Sequence, residues 1–464
     1  MHEMPSASVL PAEKQPPHSN APSRGLTHVA SLSGVVAVVM LALAAALAAK
    51  LSPGSVLGHD ATQTAATAIF AGSYVALALG RVPGLSIDRV GVAFVGACLM
   101  VAAGVLTPND AYRAVDFQTI ILLLGMMIVV ANLRLSGFFA LATAWVTRRA
   151  HRPIVLLGAV TAVAGLFSAF LVNDAICLVL SPLVLELTLR LRRNPTPYLL
   201  AVAMASNVGS TATITGNPQN IMIGSFSHLS YLRFASALAP VALAGLILTI
   251  VLITLTYRAE FASRDRPHAE VSAVRVHPAL IARALVATGL MVVLFFAGQP
   301  PAKVAIIVGG LLLLTRRVKS EHIYAEIEWP LLLMFCGLFI VVAGAQHALL
   351  TPYVIAATGR LHLDQAPMLS IVTAGLSNLV SNVPAVLVLK PFIDTLPHRE
   401  TAWLTVAMAS TLAGNFTILG SIANLIVVHK AAARGVRIGF WDYFRVGAPL
   451  TVLTIAIGVL WLRP

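Results

Sequence analysis

Apolar residues along this chain fall in long runs, not at alternating or 3.6-residue spacing; Leu32 to Ala49 and Ala284 to Ala297 are two examples. Roughly 20 consecutive apolar residues cross a bilayer core as a helix, so the pattern predicts an all-α membrane protein. The ~10-residue alternating segments of a membrane β-barrel do not stand out. Eleven full spans are expected, over residues 31–49, 61–80, 88–106, 117–133, 197–225, 235–257, 279–298, 303–315, 329–350, 401–429 and 446–462. Two further apolar segments, 153–190 and 367–396, do not fit as single spans. Each suits two short helices joined near a central Asn, and each is read as a re-entrant hairpin.

The order of these segments divides the chain. Residues 1–28, rich in Pro, Ser and Ala, are expected to form a disordered cytoplasmic tail. Residues 29–60 hold the first span and its loop. Its leader is too long and too weakly basic for a signal peptide, so the span is expected to be retained. Residues 61–257 form a first repeat, 258–278 a cytoplasmic linker and 279–464 a second repeat.

Composition agrees with a bilayer. Apolar residues make up 58% of the chain and charged residues 11%, against ~25% charged in a soluble domain. The net charge of +13 raises the question of nucleic acid. The basic residues sit instead in short loops between apolar runs, among them Arg148, Arg149, Arg190, Arg192, Arg193, Arg316, Arg317, Lys430 and Arg434. Threading the spans puts these loops on one side, as the positive-inside rule requires, with the N-terminus in the cytoplasm and the C-terminus outside. No nucleic-acid partner is expected. Cys98, Cys177 and Cys336 all lie in apolar runs without metal spacing, and are read as small buried residues.

An internal repeat is legible by eye. Ser168 to Pro182 matches Ser377 to Pro391, aligning Asn173 with Asn382. Upstream, Gly125 to Ala131 matches Gly337 to Ala343; downstream, Thr213 to Asn220 matches Thr417 to Asn424. Apolar composition explains matched Leu and Val, but not Asn, Gly, Thr and Pro in register. The threading makes the two copies inverted, a signature of secondary transporters when both copies carry interrupted helices.

Four polar clusters stand at mid-membrane depth, where polar groups are costly unless they face protein, water or a ligand. Two are the expected hairpin tips, Asn173–Asp174 and Ser381–Asn382. One interrupts the span at 197–225 and contains Ser206, Asn207, Thr211, Thr213, Gly216, Asn217 and Asn220. The last interrupts the span at 401–429 and contains Asn415, Thr417, Gly420, Ser421 and Asn424. Helix N-termini at such breaks suit an anion; unwound carbonyls and Asn, Ser and Thr oxygens suit sodium. These sixteen residues are the candidate substrate- and ion-binding set. Sodium is the one candidate metal, with no transition-metal site and no organic cofactor. Asp174 faces Val383 in the repeat, so the fold does not require a carboxylate there; the competing role is a cap for a helix starting at Ala175. Lys390 is read as reaching the outer interface rather than the substrate.

The motifs Val-Asn-Asp, Gly-Asn-Pro-Gln-Asn, Ser-Asn-Val-Pro-Ala and Thr-Leu-Ala-Gly-Asn-Phe-Thr resemble those of the ion transporter superfamily. The similar branch is the citrate-transporter-like permeases, which include arsenite permeases, NhaD-type sodium/proton antiporters and divalent anion/sodium symporters. The resemblance runs from about residue 86 to residue 445. It implies a homodimer in the plasma membrane and an elevator-like motion. In the divalent anion symporters each tip carries Ser-Asn-Thr; here the tips read Val172-Asn173-Asp174 and Ser381-Asn382-Val383. That departure favours arsenite, another inorganic anion or an antiporter over a dicarboxylate. An intramembrane enzyme is the remote alternative, since Asp174 is the one deeply placed carboxylate and has no mid-span His partner.

Overall fold

The computed structural model describes residues 56–79, 87–149, 152–262, 277–314, 319–349 and 362–463. The expected tail, the expected span at 31–49 and most of the linker lie outside the described residues. The first half contains α1 (Val56–Leu79), α2 (Arg89–Ala102), α3 (Pro108–Ala114), α4 (Phe117–Leu135), α5 (Phe138–Arg149), α6 (Pro153–Phe170), α7 (Asn173–Arg190), α8 (Pro195–Ser210), the 3-10 turn η1 (Ile214–Gly216), α9 (Pro218–Ser227), α10 (Tyr231–Thr256) and α11 (Arg258–Ala262). The second half contains α12 (Pro278–Phe296), α13 (Pro301–Leu313), α14 (Ser320–Ala325), α15 (Trp329–Leu349), α16 (Ala366–Val380), α17 (Asn382–Ile393), α18 (Arg399–Ala413), η2 (Ile418–Gly420), α19 (Ile422–Ala432) and α20 (Phe440–Trp461). There is no strand among the described residues.

Helix starts follow local chemistry. Pro occupies the first turn of α3, α6, α8, α9, α12 and α13, where its missing N–H costs nothing. Asp116 caps α4 by accepting from the backbone N–H of Gln118 at 3.0 Å.

Among the described residues seven helices are long and apolar enough to cross a membrane: α1, α4, α6, α10, α12, α15 and α20. The expected eleven also include the span at 31–49, which lies outside the described residues, and the interrupted segments at 197–225 and 401–429. Helices α2 and α13 are apolar but only 14 and 13 residues long. The segments at 197–225 and 401–429 are each two helices about a 3-10 turn, as the breakers Gly216, Pro218, Gly414 and Gly420 foretell. Helix α5 occupies a stretch read as loop. The outer faces of α10 and α12 expose Leu243, Ile247, Val286 and Val293, the surface a lipid-facing helix presents.

The two halves interlock. Helix α4 packs on α13, and its counterpart α15 packs on α2. Gly125 of α4 lies so close to α13 that an added Cβ would stand 2.5 Å from the carbonyl carbon of Ala305. Gly337 of α15 repeats this against α2, where a Cβ would stand 2.6 Å from the oxygen of Ala93. The glycines matched in sequence thus make matched contacts across the halves, the reciprocal pattern of a two-fold relation.

Helices α6 and α7 meet at Leu171–Val172, and α16 and α17 meet at Ser381. Both pairs lie against a broken helix of their own half, α6 on α8 and α16 on α18. This sets the two helix-pair tips beside the two breaks.

Candidate functional site

Each break is built the same way. Helix α8 ends at Ser210, the chain extends at Thr213, turns through η1, extends again at Asn217 (φ −155°, ψ 163°) and resumes as α9. Helix α18 ends at Ala413, extends at Thr417, turns through η2, extends at Ser421 (φ −146°, ψ 145°) and resumes as α19. Breaking a helix leaves carbonyls without partners. The Asn220 amide closes the first break by donating to the oxygens of Ser210 and Thr213 at 3.1 and 3.0 Å. Asn424 closes the second by donating to Gly414 and Thr417 at 2.7 and 3.1 Å. Gly216 and Gly420 allow the approach: a Cβ on Gly216 would sit 2.1 Å from the Ser210 oxygen, and one on Gly420 2.8 Å from that of Gly414.

The breaks are joined to each other at Asn207. Its Nδ2 donates to Oδ1 of Asn415 at 2.9 Å and of Asn424 at 3.0 Å. Its Oδ1 accepts from Asn173 Nδ2 at 3.0 Å and from the Ser421 hydroxyl at 3.1 Å. An amide offers two donors and two acceptor sites, so Asn207 is saturated. A second cross-half group centres on Thr411, whose hydroxyl oxygen accepts from Asn217 and Gln219, both at 3.1 Å.

A cavity lies between the tips and the breaks. Four helix N-termini converge on it: Asn173 and Asp174 open α7, Pro218 and Gln219 open α9, Asn382 and Val383 open α17, and Ser421 and Ile422 stand at the start of α19. The positive dipole ends of these helices create an environment for an anion. Oxygens without partners stand beside them. Oδ1 of Asn173 and Oδ1 of Asn382 are buried and accept no hydrogen bond among the described residues. The repeat extends to this detail, because the buried hydroxyls of Thr161 and Ser370, and of Ser168 and Ser377, are unpartnered at matching positions. Asp174 is 6% exposed. Helix α7 begins at Asn173 with Val172 at its cap and no side-chain cap bond, which rules out the capping role for Asp174 in this structure. Ser381 takes φ 82° and ψ 158°, a region nearly confined to glycine, where side chains cost on the order of 1–3 kcal/mol.

The candidate residues therefore divide. Asn173, Asp174, Ser381, Asn382 and Ser421 line the cavity. Asn207, Asn217, Asn220, Asn415 and Asn424 form the framework behind it. The Thr211 hydroxyl donates to its own helix, at the Asn207 oxygen, and that of Thr213 donates to the Ala169 oxygen of α6, tying the break to the helix pair. Thr417 contributes its backbone oxygen. Ser206 turns towards Cys177, with Oγ 2.9 Å from Sγ. Cys177 is buried, but Cys98 is exposed and Cys336 half-buried, correcting the expectation for both. Lys390 pairs with Asp394 at 3.2 Å, stands over the Phe226 ring at 5.3 Å and does not line the cavity. Among the described residues no group of three His, Cys, Asp or Glu could hold a metal ion. Gln219 and Thr411 were missed from sequence. Thr411 occupies the repeat position of Asn207, so extending the alignment a few residues upstream would have found it.

The sequence model described as Citrate transporter (CitMHS) matches residues 74–413. An uncharacterized transporter of Mycobacterium tuberculosis is 32% identical over 425 residues, covering 86% of this chain and 98% of the relative. The silicon efflux transporter of Oryza sativa subsp. japonica is 28% identical, covering 82% of this chain and 93% of the relative. Among solved structures, the Alcanivorax borkumensis YdaH transporter, reported to have an unusual topology, aligns with a TM-score of 0.54 at 15% identity, covering 81% of this chain and 88% of that one. That last similarity concerns the fold.

Proposed function

Because this chain belongs to the citrate transporter family and is a multi-pass membrane transporter, we propose that it moves a small anion across the plasma membrane, coupled to sodium ions or protons at the cavity between the tips. The observation that carries this is the cavity's mixed lining. Four helix N-termini favour negative charge, while two unpartnered amide oxygens and one buried carboxylate favour a cation. An anion and its coupling cation satisfy both sets together. The rice relative is named a silicon efflux transporter, which supports an inorganic solute for this chain over a dicarboxylate. The proposal includes re-entrant insertion of both helix pairs, an elevator-like shift of them against the α4–α13 and α2–α15 layers, a homodimer, and an N-terminus in the cytoplasm.

A sodium/proton antiporter without an anion substrate is the second reading, and Asp174 is the observation that favours it. Uptake of labelled arsenite, sulfate, phosphate, citrate and sodium into vesicles separates the two. Asn173→Ala and Asn382→Ala should each remove most transport at unchanged membrane abundance. Asp174→Asn should keep the fold and abolish the sodium or pH dependence. Parental transport by both Asn variants, or a parental ion response in Asp174→Asn, would sink the proposal.

A further inference from the structure

A second cavity adjoins the first tip, lined by Val172 as well as Asp174. Ala175 and Leu178 of α7 face Arg134 of α4 across it, together with Glu326 and Glu328 from the segment before α15. Asp174 lines both cavities, so its carboxylate stands at the partition between them. That side chain is buried and makes no hydrogen bond or ion pair among the described residues. Glu326 is ion-paired with Arg134 at the solvent-exposed margin, where their side chains are 25% and 38% exposed. Glu328 has no such partner among the described residues, and burial holds its carboxyl above the usual carboxylate range. Arg134, Asp174, Glu326 and Glu328 are the titratable groups facing this space; the rest of the lining is apolar.

Three carboxylates thus stand against one guanidinium. The Arg134–Glu326 pair neutralises itself, which leaves Asp174 and Glu328 uncompensated between apolar walls. Two like charges brought out of water are costly unless a positive charge joins them. An anion would meet a repulsive field here, whereas the tip cavity offers it helix N-termini. We infer that the second cavity is a cation-selective access route to Asp174, in which Glu328 and Asp174 take a monovalent cation, a proton or an alkali ion, separately from the anion. This rests on the reading that Asp174 holds the coupling ion. In the proposed orientation the route opens to the cytoplasm, the side of Arg190 and Arg193.

The test needs no transport substrate. Leu178→Cys is made in the full-length chain with Cys98, Cys177 and Cys336 replaced by Ser, and the protein is placed in vesicles of known sidedness. A cationic and an anionic methanethiosulfonate of similar size are applied from the cytoplasmic face. Their rates are normalised to a free thiol in solution. The cationic reagent should win by about tenfold, since a charged cleft raises local counter-ion concentration by at least that factor. Glu328→Gln should cut the preference about threefold or more, while Glu328→Asp, which keeps the charge, should retain it. Slower labelling in sodium chloride than in choline chloride assigns the alkali ion. A preference that falls at low pH without a sodium effect assigns the proton. Equal normalised rates, no labelling by either reagent, a preference unmoved by Glu328→Gln, or indifference to both sodium and pH overturns the inference. A selective cleft in a chain whose Asp174→Asn variant keeps its ion response would refute the coupling reading alone.

Discussion

The side-chain nitrogen of Asn207 donates to Oδ1 of Asn424 at 3.0 Å, and the repeat-related pair, Thr411 and Asn220, makes the same contact at 3.4 Å. Asn207 and Thr411 hold equivalent places in the two halves, as do Asn424 and Asn220. Each bond therefore joins one half to the other, and exchanging the halves exchanges the bonds. The centre of the molecule is two-fold in its chemistry as well as its helix order, with Asn on one side and Thr on the other.

Asn207→Ala should destabilise the folded chain by about 2 kcal/mol, because it strands the oxygens of Asn415 and Asn424 and the donors of Asn173 and Ser421. Hydrogen bonds between membrane helices average ~0.6 kcal/mol each, so four of them come to about 2.4 kcal/mol, in line with that figure. Unfolding in detergent measures this. A loss under about 0.5 kcal/mol would mean that the bonds across the halves are individually dispensable.

Gly125→Ala and Gly337→Ala should cost similar amounts, about 1–3 kcal/mol each, since both new methyl groups meet backbone that cannot rotate away. Gly289→Ala is the control, as nothing lies within 4 Å of its Cβ position. Purified yield and unfolding temperature give the comparison. An unequal pair, with one variant as stable as the control, would contradict the matched packing.

Ser381→Gly should stabilise the chain by about 0.5–1 kcal/mol, the relief of a backbone conformation that side chains resist less the entropy glycine adds to the unfolded chain. Val172→Gly, at the first tip, should destabilise, because Val172 has φ −51° and no strain to relieve. Opposite signs in thermal unfolding are the expected result; the same sign for both would show that the tips are held alike.

Glu328 gives a pH dependence of defined sign. Burial raises its folded-state pKa, so the folded chain binds that proton more tightly than the unfolded one. The stability this contributes is full below the unfolded value of about 4.3 and is lost as pH rises through the folded value. Gln does not ionise. Glu328→Gln should therefore gain stability on the parent as pH rises from 4.5 to neutral. Melting curves across that range decide it: a gain that shrinks with rising pH would reverse the assignment.

Much of this arrangement was legible in the sequence because its signals are local. Asn, Gly, Pro and Thr in register mark both breaks and both tips, and the same residues shape the backbone there. What sequence missed depends on neighbours distant along the chain. Glu328 reads as an ordinary helix-flanking acid until folding brings it to Asp174. Ser206 sits amid the polar residues of the first break, yet its helix face turns it to Cys177. The shortness of α2 was hidden because its apolar run continues past the helix end into residues such as Val105 and Leu106.

The Asn220 and Asn424 clamps bear on how such a molecule can change shape. An interrupted helix invites comparison with a hinge, but a hinge needs slack, and here each interruption is laced shut by its own amide. The strands of that lacing are then knotted together at Asn207. Bending at either interruption would tear several short bonds at once, whereas the bonds from this centre to the helices around it are scattered, as from Tyr74 to the Pro384 oxygen and from Thr451 to the Leu412 oxygen. The middle of this chain is a keel, bonded across the two halves as well as along each of them.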